Sequence, residues 1–147
     1  MKIILDAMGG DNAPDANIKG AVNAINKVKA EVVLVGKEEV IRAKVKEFYG
    51  KEIEEISDRL KIKNATETIE MEDVPTMAIK HKKDSSMVVG FRMLKEDEGD
   101  VFISAGNSGA LLTGATLIVG RIKGIDRPAL AGILPAYHSQ LLLIDAG

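Results

Sequence analysis

The chain has 147 residues, with 20 Lys plus Arg against 22 Asp plus Glu and a formal net charge of −2. That is the length of one domain, without the basic excess of a general nucleic-acid binder. Apolar residues make up 46% and there is no Cys, which excludes a disordered chain, disulfides, thiolate metal sites and a cysteine nucleophile.

Lys2 to Leu5 is a short apolar run that ends at Asp6 and reads as a buried strand. It is too short for a secretory leader and no small-residue cleavage site follows, so a cytoplasmic protein is expected. Met8 to Ala13 is a Gly/Asp/Asn loop, and Pro14 suits a first helical turn. Ile18, Ala21, Val22, Ile25 and Val28 recur at helical spacing and predict a helix over 14–29. Glu31 to Val35 reads as a strand closed by Gly36. Lys37 to Tyr49 reads as an amphipathic helix with Val40, Ile41, Val45 and Phe48 on one side. Glu52 to Asp58 is a further helical turn and Leu60 to Lys63 a short strand.

Pro75 opens a helix through Ala78 and Ile79, and Ser85 and Ser86 are caps for one carrying Met87, Val88, Phe91 and Leu94. Val101 to Gly120 is 20 residues without a charge, the length of a membrane span. Its Ala-Gly-Asn-Ser-Gly break fits a buried strand over Val101 to Ser104, a tight turn and a buried helix from Asn107 to Val119 better. Ala129 to Leu134 and Leu141 to Ile144 read as fully buried strands. Strand and helix alternate, which predicts an α/β fold with a largely parallel sheet. The charges crowd between Lys37 and Glu98. The last third is expected to be interior or to face another subunit or further chain, and its closing apolar strand suggests a chain cut short.

Four constellations carry chemistry. In Asp6-Ala-Met-Gly-Gly-Asp-Asn-Ala-Pro14 an acid stands at a strand's carboxyl end, where open α/β sheets bind ligands, and Gly9 and Gly10 allow close backbone approach. Neither a dinucleotide fingerprint nor a P-loop is present; a strand-to-helix turn capped by Asp11 or Asn12 is the plainer reading. Ser104-Ala-Gly-Asn-Ser-Gly109 presents backbone N–H groups at a helix start, with Gly106, Asn107, Ser108 and Gly109 either forming an anion site or acting as an ordinary cap. Lys80-His-Lys-Lys-Asp-Ser-Ser86 places Lys82 and Lys83 where a phosphate or an acidic partner would sit, or forms a solvated basic patch. Gly124-Ile-Asp-Arg-Pro128 carries Arg127, suited to phosphate or to a salt bridge with a neighbouring acid. His81 and His138 stand apart and give no metal-ligand spacing. Asp6, Asp11 and Asp145 could hold magnesium, but nothing in their spacing requires it, and neither metal nor cofactor is expected.

These residues resemble a known family. The opening Asp6 to Pro14 block is similar to the N-terminal motif of the bacterial phosphate acyltransferases of phospholipid synthesis (PlsX). Glu70-Met-Glu-Asp-Val-Pro75, Lys82-Lys-Asp-Ser-Ser-Met87, Ser104-Ala-Gly-Asn-Ser-Gly-Ala-Leu111 and Gly124-Ile-Asp-Arg-Pro-Ala129 resemble later blocks in the same order. So does Leu143-Ile-Asp-Ala-Gly147, which in the family continues onward. Asn64 stands where the family commonly carries His, and Lys80 where Arg is frequent.

The resemblance implies a three-layer α/β/α fold similar to phosphotransacetylases and isopropylmalate dehydrogenases, of which residues 1–147 form the N-terminal portion of a single truncated domain. It implies transfer of a fatty acyl group from acyl-carrier protein to inorganic phosphate by a cytosolic homodimer. Peripheral membrane association is expected through the missing C-terminal half. Phosphotransacetylase-like transfer with coenzyme A, or a non-catalytic anion-binding fragment, are the alternatives. On this reading the Gly106–Gly109 turn holds phosphate, and Gly9, Gly10, Ser85, Ser86 and Ser104 bind phosphate or substrate beside it. Lys82, Lys83 or Arg127 neutralise its charge, Asn107 or a backbone N–H stabilises the thioester oxygen, and Asp6 and Asp11 orient the glycine loop or a lysine.

Overall fold

The structure is a computed structural model that describes residues 1–144. In chain order it runs β1 (Lys2–Asp6), α1 (Asp15–Ile25), β2 (Glu31–Gly36), α2 (Glu38–Tyr49), α3 (Ile53–Ile56), β3 (Leu60–Asn64), α4 (Pro75–His81), α5 (Ser86–Lys95), β4 (Val101–Ile103), α6 (Ser108–Gly114), β5 (Ala131–Pro135) and β6 (Gln140–Ile144). A π-helical turn, Ala115–Val119, continues α6 directly.

Strands β1 to β4 form one parallel sheet in the order β3-β2-β1-β4. Side chains alternate between faces along a strand, and the core is divided accordingly. Val32, Leu34 and Leu60, with Ile3, Leu5 and Ile62 beside them, pack against Ile18, Val22 and Ile25 of α1, Ile41 and Val45 of α2 and Ile53 of α3. On the other face Ile4, Val33 and Val35 meet Val89 and Met93 of α5. Met87, Val88 and Phe91 of the same helix pack with Ile79 of α4 and Ala110 of α6. The result is three layers, α/β/α, with the sheet in the middle. The unbroken Val-Val-Leu-Val run of β2 lets that strand be covered on both sides, as parallel strands require.

Helix ends follow local chemistry. Val88 N–H donates to Ser85 Oγ at 3.3 Å and caps α5, Glu52 and Glu55 form a capping box on α3, and α2 stops at Gly50, whose φ of +64° is left-handed. Helix α1 ends four residues before the expected limit of 29.

The last third departs from expectation. β5 and β6 pair antiparallel with each other and with no other strand, and every described residue from Val119 onward is exposed. The runs Ala129 to Leu134 and Leu141 to Ile144 are therefore not buried strands, because no described element covers either face of the hairpin. β4 is likewise an edge strand with Val101 and Ile103 exposed, and the following helix buries only Ala110 and Gly114. Among the described residues no helix is long and apolar enough to cross a membrane.

Candidate functional site

β1 is followed in sequence by β2 on one side of it, whereas β4 pairs on its other side. The strand order thus reverses between β1 and β4, and the crevice outside the carboxyl ends of strands at such a reversal is the general ligand position of open α/β sheets. Both glycine loops leave the sheet there, one after Asp6 and the other after Ile103.

The loops touch. Ser104 Oγ donates to Asp6 Oδ2 at 2.8 Å and accepts from Gly106 N–H at 3.1 Å. Asp6 Oδ1 accepts from Met8 N–H at 3.0 Å. The Asp6 carboxylate is 2% exposed, so its hydrogen-bond donors stand in for water, as a buried charge requires. A Cβ on Gly9 would lie 2.5 Å from Asp6 Oδ2 and 2.9 Å from Ser104 Oγ, and one on Gly10, at φ +109°, 3.1 Å from Ala105 Cβ. The glycines are there because a second backbone approaches within side-chain distance. Gly9 and Asn107 are buried, yet their backbone N–H groups have no acceptor among the described residues; those of Gly10, Ser108 and Gly109 also have none. Buried N–H groups are nearly always paired, so this pairing of loops offers donors for an oxygen-rich ligand.

The Asn107 side chain is fully engaged elsewhere. Its Oδ1 accepts from Ala110 N–H at 2.9 Å, capping α6. Its Nδ2 donates to the carbonyls of Glu70 at 3.3 Å and of Met71 and Asp73 at 3.1 Å. Lys82 Nζ, from the end of α4, holds the same loop by donating to Thr68 O at 2.9 Å and to the Asp73 carboxylate at 2.5 Å. The Lys82 hydrogen bond and the Glu70 N–H hold the Asp73 carboxyl below the usual carboxylate range. Asp84 is lowered in the same way, by the Thr66 hydroxyl and then the Thr66 N–H. Pro75 lies against Gly109, where an added Cβ would come within 2.7 Å of Pro75 Cγ.

Of the residues expected at the site, Asp6, Gly9, Gly10, Ser104 and Gly106 come together around the crevice, with Asn107, Ser108 and Gly109 continuing from them. Ser85 and Ser86 are fully buried at the α5 start, and Ser85 Oγ donates to Lys82 O at 2.8 Å. Asp11 and Lys83 are exposed, and Lys83 has no ion-pair partner among the described residues. Arg127 is exposed in the segment before β5 and makes no hydrogen bond to either loop among the described residues. Asn64 Oδ1 accepts from Glu38 N–H at 3.0 Å. Among the described residues no group of three His, Asp or Glu side chains could hold a metal ion, and Asp145, Ala146 and Gly147 lie outside them.

Asp73 and Asp84 lie in the motif blocks but carry no role in the sequence reading, which misses one contributor, Asn17, altogether. Asn17 Nδ2 donates to the carbonyls of Asp6, Ala7 and Gly9 at 3.1, 3.2 and 2.9 Å. Its only mark was a polar residue one position before the buried Ile18.

Compared with known proteins, residues 1–147 match the profile of a family described as "Fatty acid synthesis protein". The chain is 53% identical to a phosphate acyltransferase of Acetivibrio thermocellus, over 100% of this chain and 42% of that protein. It is 49% identical to the phosphate acyltransferase of Thermoanaerobacter pseudethanolicus and 48% identical to that of Clostridioides difficile, with the same coverage, 100% of this chain and 42% of each relative. The chain therefore spans about two fifths of the length of the curated relatives it matches.

Proposed function

Because this chain belongs to the fatty acid synthesis protein family, we propose that the full-length protein is a phosphate acyltransferase that moves a fatty acyl group from acyl-carrier protein to inorganic phosphate, giving acyl phosphate for phospholipid synthesis. The printed names of the relatives support the reaction class. The observation that carries the reading here is the meeting of two glycine loops at the reversal of strand order, where Gly9 and Asn107 are buried residues whose N–H groups are unpaired among the described residues. The unpaired main-chain donors suit a phosphate oxygen, while the Asp6 carboxylate is occupied by Ser104 Oγ and Met8 N–H.

In the reaction a phosphate oxygen attacks the thioester carbonyl carbon, the tetrahedral species collapses with cleavage of the C–S bond, and the proton of hydrogen phosphate ends on the leaving sulfur. No strong base is demanded, and holding both reactants in attack geometry supplies much of the acceleration. The free N–H groups of Gly9, Gly10, Asn107, Ser108 and Gly109 bind phosphate and the developing oxyanion. Asn107 acts through its main chain, its side chain fixing the 70–73 loop, and Lys82 orders the same loop through Asp73. Lys83 and Arg127 supply mobile positive charge, and Lys80 to Lys83 offer a docking patch for an acidic carrier protein. The resemblance in the ordered motifs supports a homodimer that works in the cytoplasm, peripherally at the membrane.

The test is release of free carrier-protein thiol from acyl-carrier protein by the purified full-length protein, with and without inorganic phosphate. Phosphate-dependent release, with the acyl-coenzyme A thioester turned over far more slowly, is the expected result. Equal use of coenzyme A would make it a phosphotransacetylase, and no phosphate dependence would end the acyltransferase reading.

A further inference from the structure

We propose that Asn17, a residue of helix α1, is a positioning residue of the phosphate site; the proposal rests on the acyltransferase reading and extends it. Its side-chain amide holds the first glycine loop from α1, collecting three carbonyl oxygens, those of Asp6, Ala7 and Gly9, within 2.9–3.2 Å of a single nitrogen. Carbonyl oxygens are what an anion avoids. A loop left to itself would turn some of them toward the crevice, and α1 draws three to its own side.

The far side of the loop is fixed as well. There Gly9 meets Asp6, Ser104 and Gly106 so closely that no side chain fits, and Gly10 meets Ala105. The loop is therefore clamped between an amide that takes its carbonyls and a second glycine loop. The N–H of Gly9, a buried residue, has no acceptor among the described residues and is the donor this clamp leaves over. Asn17 touches neither reacting atom. It acts by setting which face of the loop meets phosphate.

The experiment uses the full-length protein. Asn17→Ala removes the donors, and Asn17→Asp keeps the shape but places a carboxylate against three carbonyls. Asn17→Ala should raise the KM for inorganic phosphate about tenfold, the loss of roughly one good hydrogen bond, with kcat at saturating phosphate and the KM for the acyl carrier nearly unchanged. Asn17→Asp should be worse than Asn17→Ala, which a space-filling role would not produce. Amide exchange at Ala7 and Met8 should quicken in both variants while that of β2 stays put. An unchanged phosphate KM, an Asn17→Asp protein as good as wild type, or a fall of kcat and melting temperature together with a rise of both KM values would each overturn the proposal. Should wild type show no phosphate-dependent turnover, the acyltransferase reading fails by itself. Calorimetric titration with inorganic phosphate then decides on Asn17: binding that weakens in Asn17→Ala supports the role, and a wild type that binds none overturns it.

Discussion

Gly9 shows how little room the crevice leaves for a change of one atom. Replacing its hydrogen by a methyl group sets a carbon 2.5 Å from a buried carboxylate oxygen and 3.0 Å from the Gly106 nitrogen. Gly9→Ala should therefore destabilise by about 1–3 kcal/mol, the usual cost of overpacking, and abolish phosphate-dependent turnover. Gly20, exposed in the middle of α1 with nothing within 4 Å, is the control. Gly20→Ala should stabilise by about 0.5–1 kcal/mol and leave activity intact, both read by urea unfolding and thiol release. At this scale the sequence was partly legible. Asp6, Ser104 and the glycines stood out by their place at strand ends, although an ordinary capped turn explained each loop as well. Where the Asn107 amide points could not be read, because its acceptors lie 34 to 37 residues earlier in the chain. No local pattern encodes such a contact.

Between elements, the loop from Thr66 to Val74 has no regular structure of its own and is held by side chains from three others. Asn107→Ala would leave the Glu70, Met71 and Asp73 carbonyls and the Ala110 N–H without their partner. The expected loss is about 2–3 kcal/mol, with Asn107→Asp falling between because it still caps α6. Denaturant midpoints of the three proteins check the order. The same loop has an acid limit. Asp73 and Asp84 are held below the normal carboxylate range, so their contribution is complete above the unfolded value near 3.9 and is lost as pH falls through the lower folded values. Stability should thus decline more steeply below about pH 4 in wild type than in Asp73→Asn or Asp84→Asn, as followed by unfolding at stepped pH. Element boundaries were read within a few residues wherever apolar spacing was strong, as in α2 and α5. The Glu70–Pro75 block was noticed through its resemblance alone, since an irregular loop has no period to read.

For the whole molecule, the contrast is between a sheet that is covered and a hairpin that is not. An unbroken apolar strand is the mark of one packed on both faces, and on that ground β5 and β6 were expected inside. The described residues cover neither face, although the pattern was read correctly, because a strand's composition states what it needs and not where the cover comes from. Ile133, paired with Leu142, is 66% exposed. In the 147-residue chain Ile133→Asp should change stability by less than about 0.5 kcal/mol in thermal unfolding. A larger loss would mean that the hairpin is packed in solution. The latch between Asp6 and Ser104 joins residues 98 positions apart, and its two strands lie side by side only after β2, β3 and the helices between have been laid down. The crevice is therefore incomplete until the chain has been made past residue 109. Closing so long a loop is slow and entropically costly. Until β4 arrives, one edge of β1 stands open, so a chain arrested before residue 101 would have its first glycine loop in place, no second loop to face it, and an unpaired edge of β1 available to any passing strand.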